Sequence, residues 1–344
     1  MKFITIVVCA YNESLNIYNC LKSLATIDYP ANKFEVIIID DDSEDETLDI
    51  IKKFILENKH INFKFYKIKH GGLSIARNTG VFYSSGEIVF FIDADAIADK
   101  NVLKAYNSAF ENTNLIIATG KVNNLNYSNK ISEFIFLLHN YPSMKISKNR
   151  LIGTNMAFRK EILKKYLFFD NFISRGDEFA LYYSIKKDFP SLETQYVDNA
   201  AVSNETAESI FTWLKKMYIE GSNNTILSNY FNNNNSKNFL FFIIKLGSLV
   251  FYLLLILNFM FIKFFFTIPF FIMFIARYST RFRYMFMGTK KILLKKGFIY
   301  AIIALITSTV GIISSDLGSC ISFIKGNKLN KKSSIGEIIL ESKK

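Results

Sequence analysis

The sequence predicts an α/β domain with a mostly parallel sheet, followed by membrane-embedded helices. Three observations lead there. Apolar runs at Phe3–Ala10, Phe34–Ile39, Phe63–Ile68 and Ile88–Ile92 alternate with stretches of helical spacing, as strand–helix–strand crossovers do. Three of these runs lead into polar clusters, Asn12-Glu13, Asp40-Asp41-Asp42 and Asp93-Ala94-Asp95. Beyond Phe239 the chain of 344 residues turns overwhelmingly apolar, rich in Phe and Ile.

Phe3–Ala10 is continuous enough for a strand covered on both faces. Lys2 before it mimics a short signal peptide, but no small-x-small cleavage site follows, so a first strand is the better reading. Glu13–Leu24 places Leu15, Ile17, Leu21 and Leu24 at helical spacing, with Asn12 or Ser14 as cap and Pro30 in the turn beyond. Phe34–Ile39 forms the second strand, Glu46–Glu57 a helix and Phe63–Ile68 the third strand. Gly71-Gly72 opens a loop into a helix carrying Arg77, which is either a surface ion pair or a phosphate ligand aided by the helix dipole.

Ile88–Ile92 then ends on Asp93-Ala94-Asp95. In open α/β sheets ligands bind beyond the carboxyl ends of strands. Two carboxylates so close call for a cation between them, and Mg2+ or Mn2+ would at once offset their repulsion and hold a diphosphate. Asp-x-Asp alone also describes a turn or a helix N-cap. No Gly-x-x-x-x-Gly-Lys-Ser/Thr or Gly-x-Gly-x-x-Gly occurs, which removes the main support for a P-loop nucleotidase or a dinucleotide-binding dehydrogenase.

Cys9, Cys20 and Cys320 are mutually isolated, as are His60, His70 and His139, so a reduced compartment and no zinc site are expected. The net charge of +12 includes Arg277, Arg281, Arg283, Lys290, Lys291, Lys295 and Lys296 beside the apolar segments. That placement reads as cytoplasmic anchoring at anionic lipid, with no nucleic-acid partner.

The ordered motifs Val8-Cys9-Ala10-Tyr11-Asn12-Glu13, Val36-Ile37-Ile38-Ile39-Asp40-Asp41-Asp42-Ser43, Gly72-Leu73-Ser74-Ile75-Ala76-Arg77-Asn78 and Phe91-Ile92-Asp93-Ala94-Asp95 resemble the family 2 glycosyltransferases, which have the GT-A fold. The resemblance continues through Gly153-Thr154-Asn155, similar to the family's acceptor-side segment, and Arg175-Gly176-Asp177-Glu178, similar to its Glu-Asp base region. It covers roughly residues 3–225.

The resemblance implies that Asp41 contacts the base and ribose of a UDP- or GDP-sugar, in a pocket lined by Cys9, Tyr11, Asn12 and Glu13. It implies that Arg77 approaches the donor, that Asp95 is the principal ligand of Mg2+ or Mn2+, and that Asp93 and Ala94 adjoin the ribose or metal shell. Gly153, Thr154 and Asn155 would face the acceptor. Two departures stand out: Asp42 occupies the usual glycine position, and the usual Glu-Asp appears as Asp177-Glu178. Asp177 is the favoured general base, with Glu178 the alternative.

Ser209–Tyr230 reads as an amphipathic helix lying on the membrane, over the acceptor site or against a core. No Gln-x-x-Arg-Trp precedes Trp213, which weakens a processive synthase. The expected organisation is a catalytic domain over 1–230, a polar linker over 231–238, a transmembrane region over 239–325 with a hairpin at 239–276 and a further segment at 298–323, and a polar tail over 326–344. These features lead to an inverting, metal-dependent, multi-pass transferase of the cell membrane. Its catalytic domain would be cytoplasmic, acting on a lipid-linked glycan or envelope glycolipid. The rival enzyme is a haloacid-dehalogenase-like phosphatase, which ordinarily carries Asp-x-Asp on its opening strand.

Overall fold

The computed structural model describes residues 1–125, 133, 135, 151–168, 176–192, 194–204, 209–232, 242–247, 249–250 and 298–324, with side chains in the last segment at 307 and 309–324. These residues fall into two compact units, one containing 1–125 and 151–204 and the other containing 209–232 and 298–324.

In the first unit, β1 (Ile4–Ala10), β2 (Phe34–Asp40), β3 (Phe63–Lys67) and β4 (Ile88–Asp93) alternate with α1 (Ile17–Ala25), α2 (Thr47–Glu57) and α3 (Leu73–Tyr83). Every residue of β2 is buried, its apolar run Val36–Ile39 flanked by the buried acids Glu35 and Asp40, whereas β3 buries little beyond Phe63 and forms the sheet edge. β1 pairs in parallel with both β2 and β4, and β2 in parallel with β3.

The predicted mostly parallel sheet is half of what forms. After β4 come β5 (Ala96–Ala98), α4 (Val102–Ala109), β6 (Ile117–Asn124), β7 (Asn155–Arg159), α5 (Lys160–Lys165), α6 (Asp177–Asp188) and β8 (Gln195–Asn204). The eight strands lie in the order β3-β2-β1-β4-β7-β6-β8-β5. β7 runs antiparallel to β4 and β6, β5 runs antiparallel to β8, and β6 and β8 are parallel. The chain therefore leaves the parallel half of the sheet at Asp93-Ala94-Asp95, so the acids sit where the sheet changes direction.

One core cluster joins Val7, Val89 and Phe91 of the central strands to Met156 and Phe158 of β7 and to Leu181 and Ile185 of α6. Phe91, Phe158 and Phe168 meet edge to face at centroid separations of 5.3–6.4 Å. Gly80 sets how closely α3 approaches β1, because a Cβ there would lie 2.3 Å from Val7 Cγ1. α6 starts at Gly176, whose φ of 104° suits glycine and aims the next two residues, Asp177 and Glu178, off the helix start.

In the second unit, α7 (Ile210–Asn232) and α8 (Phe298–Ile324) pack through small residues. Ser319 Oγ donates to Gly221 O at 2.6 Å and Ser314 Oγ to Leu214 O at 2.9 Å. Trp213 and Met217 are buried with Ile135, so one face of the predicted amphipathic helix packs within its own unit, while Phe211 remains 84% exposed. α7 groups with α8 instead of closing the catalytic domain at 230, and it runs into the expected linker. Among the described residues no helix is long and apolar enough to cross a membrane. The expected hairpin at 239–276, apart from 242–247 and 249–250, and the basic run at 277–296 lie outside the described residues.

Candidate active site

Three strand ends come into line at the carboxyl edge of the parallel half. Ala10 is in register with Asp40, and Cys9 with Asp93. The loops beyond are laced together: Asn12 N–H donates to Ser43 Oγ at 3.0 Å, Asn12 Oδ1 accepts Glu44 N–H at 2.8 Å, and Glu13 N–H donates to Thr47 Oγ1 at 2.7 Å. Both turns need left-handed backbone, with φ of 55° at Asn12 and 65° at Asp42. Asp42 thus takes a left-handed conformation, which glycine adopts freely and which Asn and Asp tolerate better than most side chains. Its carboxylate turns outward to Lys67 at 2.8 Å.

Asp41 is 3% exposed and accepts the Gly71 and Gly72 amides at 2.8 and 2.9 Å. Burial raises its pKa despite those bonds. His70 Nδ1 lies 3.0 Å from Asp41 Oδ2, and the imidazole leans on the half-exposed Tyr11 ring with centroids 4.3 Å apart. The Asp41 pocket therefore has an aromatic wall of Tyr11 and His70. The sequence weighed His70 only as a zinc ligand; its position just before Gly71-Gly72 was the available signal.

Arg77 is the hub of the other half of the site. Although buried to 3% exposure, it binds four elements. Nη1 donates to both Asp177 oxygens at 2.8 and 2.7 Å, and Nη2 reaches Asp93 Oδ1 at 3.4 Å and Gly153 O at 3.3 Å. The guanidinium also stands over the Phe168 ring at 5.6 Å. Burial works against this charge, but Asp177, Asp93 and Glu178 more than offset it and raise the Arg77 pKa. The sequence expectation of an arm reaching toward the donor meets a side chain already engaged.

Asp93 is half-exposed, and Thr154 Oγ1 donates to its Oδ2 at 2.6 Å. Asp95 is likewise half-buried, while Ala94 between them is buried. Among the described residues no group of three or more His, Cys, Asp or Glu side chains is assembled around a common point for a metal. Two hard carboxylates at the sheet edge still suit Mg2+ or Mn2+, which commonly take one or two protein carboxylates and complete their shell with phosphate oxygens and water.

Asp177 is fully buried and both its oxygens face Arg77, whereas Glu178 is half-buried beside it. Burial, then the adjacent Asp177 charge, pushes the Glu178 pKa up to about 8. Burial likewise raises Glu13 and the Cys9 thiol, and Cys9 packs, partly buried, against two core clusters. Of the expected acceptor-side residues, Gly153 and Thr154 touch the Arg77–Asp93 network, but Asn155 does not. Asn155 is wholly buried, its Nδ2 donating to Lys121 O and Ala200 O at 2.8 and 2.9 Å and its Oδ1 accepting the Tyr106 hydroxyl. It ties β7 to β6, β8 and α4, and its placement corrects the expectation of an acceptor contact.

Residues 5–167 match the family model "Glycosyl transferase family 2". Glycosyltransferase AglE of Haloferax volcanii is 28% identical over 48% of this chain and 49% of its own length. Poly(ribitol-phosphate) beta-N-acetylglucosaminyltransferase TarP of Staphylococcus aureus is 26% identical over 63% of this chain and 72% of its own. The chain thus spans about half the length of AglE. Among solved structures, the mannosyltransferase PcManGT of Pyrobaculum calidifontis, in complex with GDP-Man and Mn2+, superposes with a TM-score of 0.60 at 13% identity, covering 95% of this chain and 88% of its own. That likeness is one of fold.

Proposed function

From the family 2 glycosyltransferase domain over residues 5–167 we infer that this chain moves a sugar from a nucleotide-diphospho-sugar to an acceptor hydroxyl with inversion, using Glu178 as general base. The observation that supports this most is the reach of one side chain. Arg77 extends from Asp93, at the strand end where a donor diphosphate would lie, to Asp177, the neighbour of Glu178.

The two acids at the helix start divide the labour. Asp177 has no exposed surface and is paired with Arg77, so taking a proton there would break a buried ion pair. Glu178 keeps surface open and holds a raised pKa, which brings it close to working pH as a base. It therefore replaces Asp177, which the sequence had favoured. In the reaction Glu178 takes the acceptor proton, the oxygen attacks the anomeric carbon, and the bond to the nucleoside diphosphate breaks on the opposite face. A divalent ion held by Asp95 with Asp93 would neutralise the departing diphosphate. Tyr11, His70 and Asp41 would receive the base of the nucleotide. Asp-x-Asp on a fourth strand, not an opening one, removes the support for a dehalogenase-like phosphatase.

The apolar composition beyond Phe239 and its flanking Lys and Arg support a membrane-held chain, a cytoplasmic domain and a lipid-linked or envelope-glycan acceptor. Washing membranes with carbonate tests the anchoring, and release of the chain into the supernatant rejects it. The activity is tested by incubating purified protein with a panel of UDP- and GDP-sugars, Mn2+ and a membrane lipid extract. Acceptor-dependent release of nucleoside diphosphate is expected, and release of inorganic phosphate instead would reject the reading. For Glu178→Gln, turnover should fall by about 10²–10⁴-fold with nucleotide affinity retained.

A further inference from the structure

We propose that Arg77 is a positioning residue, not a phosphate ligand: it holds the Asp93 strand end and the Asp177–Glu178 helix start in one frame, so that donor and base stand in fixed register. This deepens the glycosyltransferase reading and rests on it.

The geometry leaves Arg77 little else to do. Nη1 is occupied by both oxygens of Asp177, a residue with no exposed surface, and Nη2 is shared between Asp93 and the Gly153 carbonyl. The guanidinium lies against Phe168 in the core and is 3% exposed, which removes it from the reach of a solvent-borne phosphate. Its backbone is pinned as well, since α3 rests on β1 through Gly80. Neighbouring Asn78 donates from Nδ2 to Phe168 O at 3.1 Å and accepts Phe168 N–H at 2.9 Å, so the segment that packs on Arg77 is fastened to the same helix.

The bonds join elements far apart in the chain. Asp177 heads α6, Asp93 ends β4, and Gly153 precedes β7. Thr154, adjoining Gly153, donates to the other oxygen of Asp93, so the Gly153–Thr154 loop and Arg77 grip that carboxylate from two sides. The guanidinium bonds Asp93 and Asp177 at once, and so spans from the donor edge to the head of α6. An ammonium carries charge but no fork and cannot serve Asp177 and Asp93 together, so lysine should substitute poorly.

Three full-length proteins test this: wild type, Arg77→Lys, and the double variant Arg77→Met/Asp177→Leu, which replaces the buried ion pair by an apolar one and so does not strand the fully buried Asp177, while half-exposed Asp93 keeps Thr154 and solvent. Affinities for nucleoside diphosphate and monophosphate are measured by calorimetry with Mn2+, and kcat and donor KM from acceptor-dependent turnover. A misplaced base should lower kcat by about 100-fold in the double variant while donor KM changes little, and about tenfold in Arg77→Lys. The ratio of diphosphate to monophosphate affinity should match wild type in both variants. A selective loss of diphosphate affinity of about tenfold or more, as the loss of a charged hydrogen bond to phosphate produces, would overturn the proposal. So would unchanged kcat in a folded double variant, which would make the pair structural only. Should the double variant not fold, Arg77→Lys decides by the same two readouts. Should wild type bind nucleotide yet transfer no sugar, the glycosyltransferase reading fails alone, and the affinity ratio still judges whether Arg77 meets phosphate.

Discussion

Replacing Asn155 by Ala should unfold the catalytic unit more easily without touching the chemistry. The amide is wholly buried and satisfies three partners that belong to other elements, the carbonyls of Lys121 and Ala200 and the hydroxyl of Tyr106. Ala removes all three bonds, two of them fully buried. At about 1 kcal/mol for each lost bond, the cost is about 3 kcal/mol. Gly120 packs against the same amide, a Cβ there lying 2.3 Å from Asn155 Nδ2 and 2.1 Å from Ala200 O, and it has no side chain with which to replace the lost bonds. For a domain of about 200 residues that loss lowers the melting temperature by about 6–12 °C. Thermal unfolding followed by circular dichroism reads the shift, and acceptor KM measured well below the transition should equal that of wild type. A variant with wild-type melting and an acceptor KM raised about tenfold, equal to 1.4 kcal/mol of lost binding, would refute the reasoning and return Asn155 to the acceptor site.

The remaining predictions follow from the same contacts. With Glu178 as base, kcat should rise with pH through about 8, because only the deprotonated carboxylate accepts a proton, and Asp177→Asn should move that limb to lower pH by removing the adjacent negative charge; a profile flat across this range argues against Glu178. Asp95→Ala should abolish the Mn2+ dependence of nucleotide binding seen by calorimetry, and an unchanged dependence would place the ion elsewhere. Glu35 is buried, with its pKa held low by Lys64, Thr5 and Ser85 against the opposing effect of burial. Its contribution, about 1–3 kcal/mol, should therefore be complete above the unfolded carboxylate range and vanish as pH falls through its lowered folded value. The stability gap between wild type and Glu35→Gln in urea titrations should close on acidification, and a gap independent of pH would contradict this. Asp42→Gly should melt at or above the wild-type temperature, since glycine adopts a φ of 65° without strain.

The strands and their acids were legible because burial on both faces leaves a continuous apolar run, and a run ending in Asp can only present that carboxylate at the sheet edge. Val36–Ile39 and Ile88–Ile92 are such runs, and both occur as strands. The half of the sheet with mixed strand directions was not legible. Its strands β5–β8 are shorter or mixed in character, as Ile117–Asn124 and Gln195–Asn204 show, and their places in the sheet depend on partners distant in sequence. Asn155 was misplaced for a related reason. A polar residue beside Gly-Thr reads as a ligand contact until its buried partners on β6, β8 and α4 are known.

By itself, then, the sequence determined the alternation of strand and helix, the acid-tipped loops and the ordered motifs that resemble family 2 glycosyltransferases. Those features are local, set by which side chains can be buried and which must meet water. Only the tertiary structure distinguishes the surroundings of the two acids at the head of α6. Asp177 and Glu178 are adjacent and chemically alike, and the fold separates them by bringing Arg77, 100 residues away in sequence, against one and leaving surface on the other. A carboxylate's role depends on its solvation and on the charge beside it, and both are properties of the assembled chain.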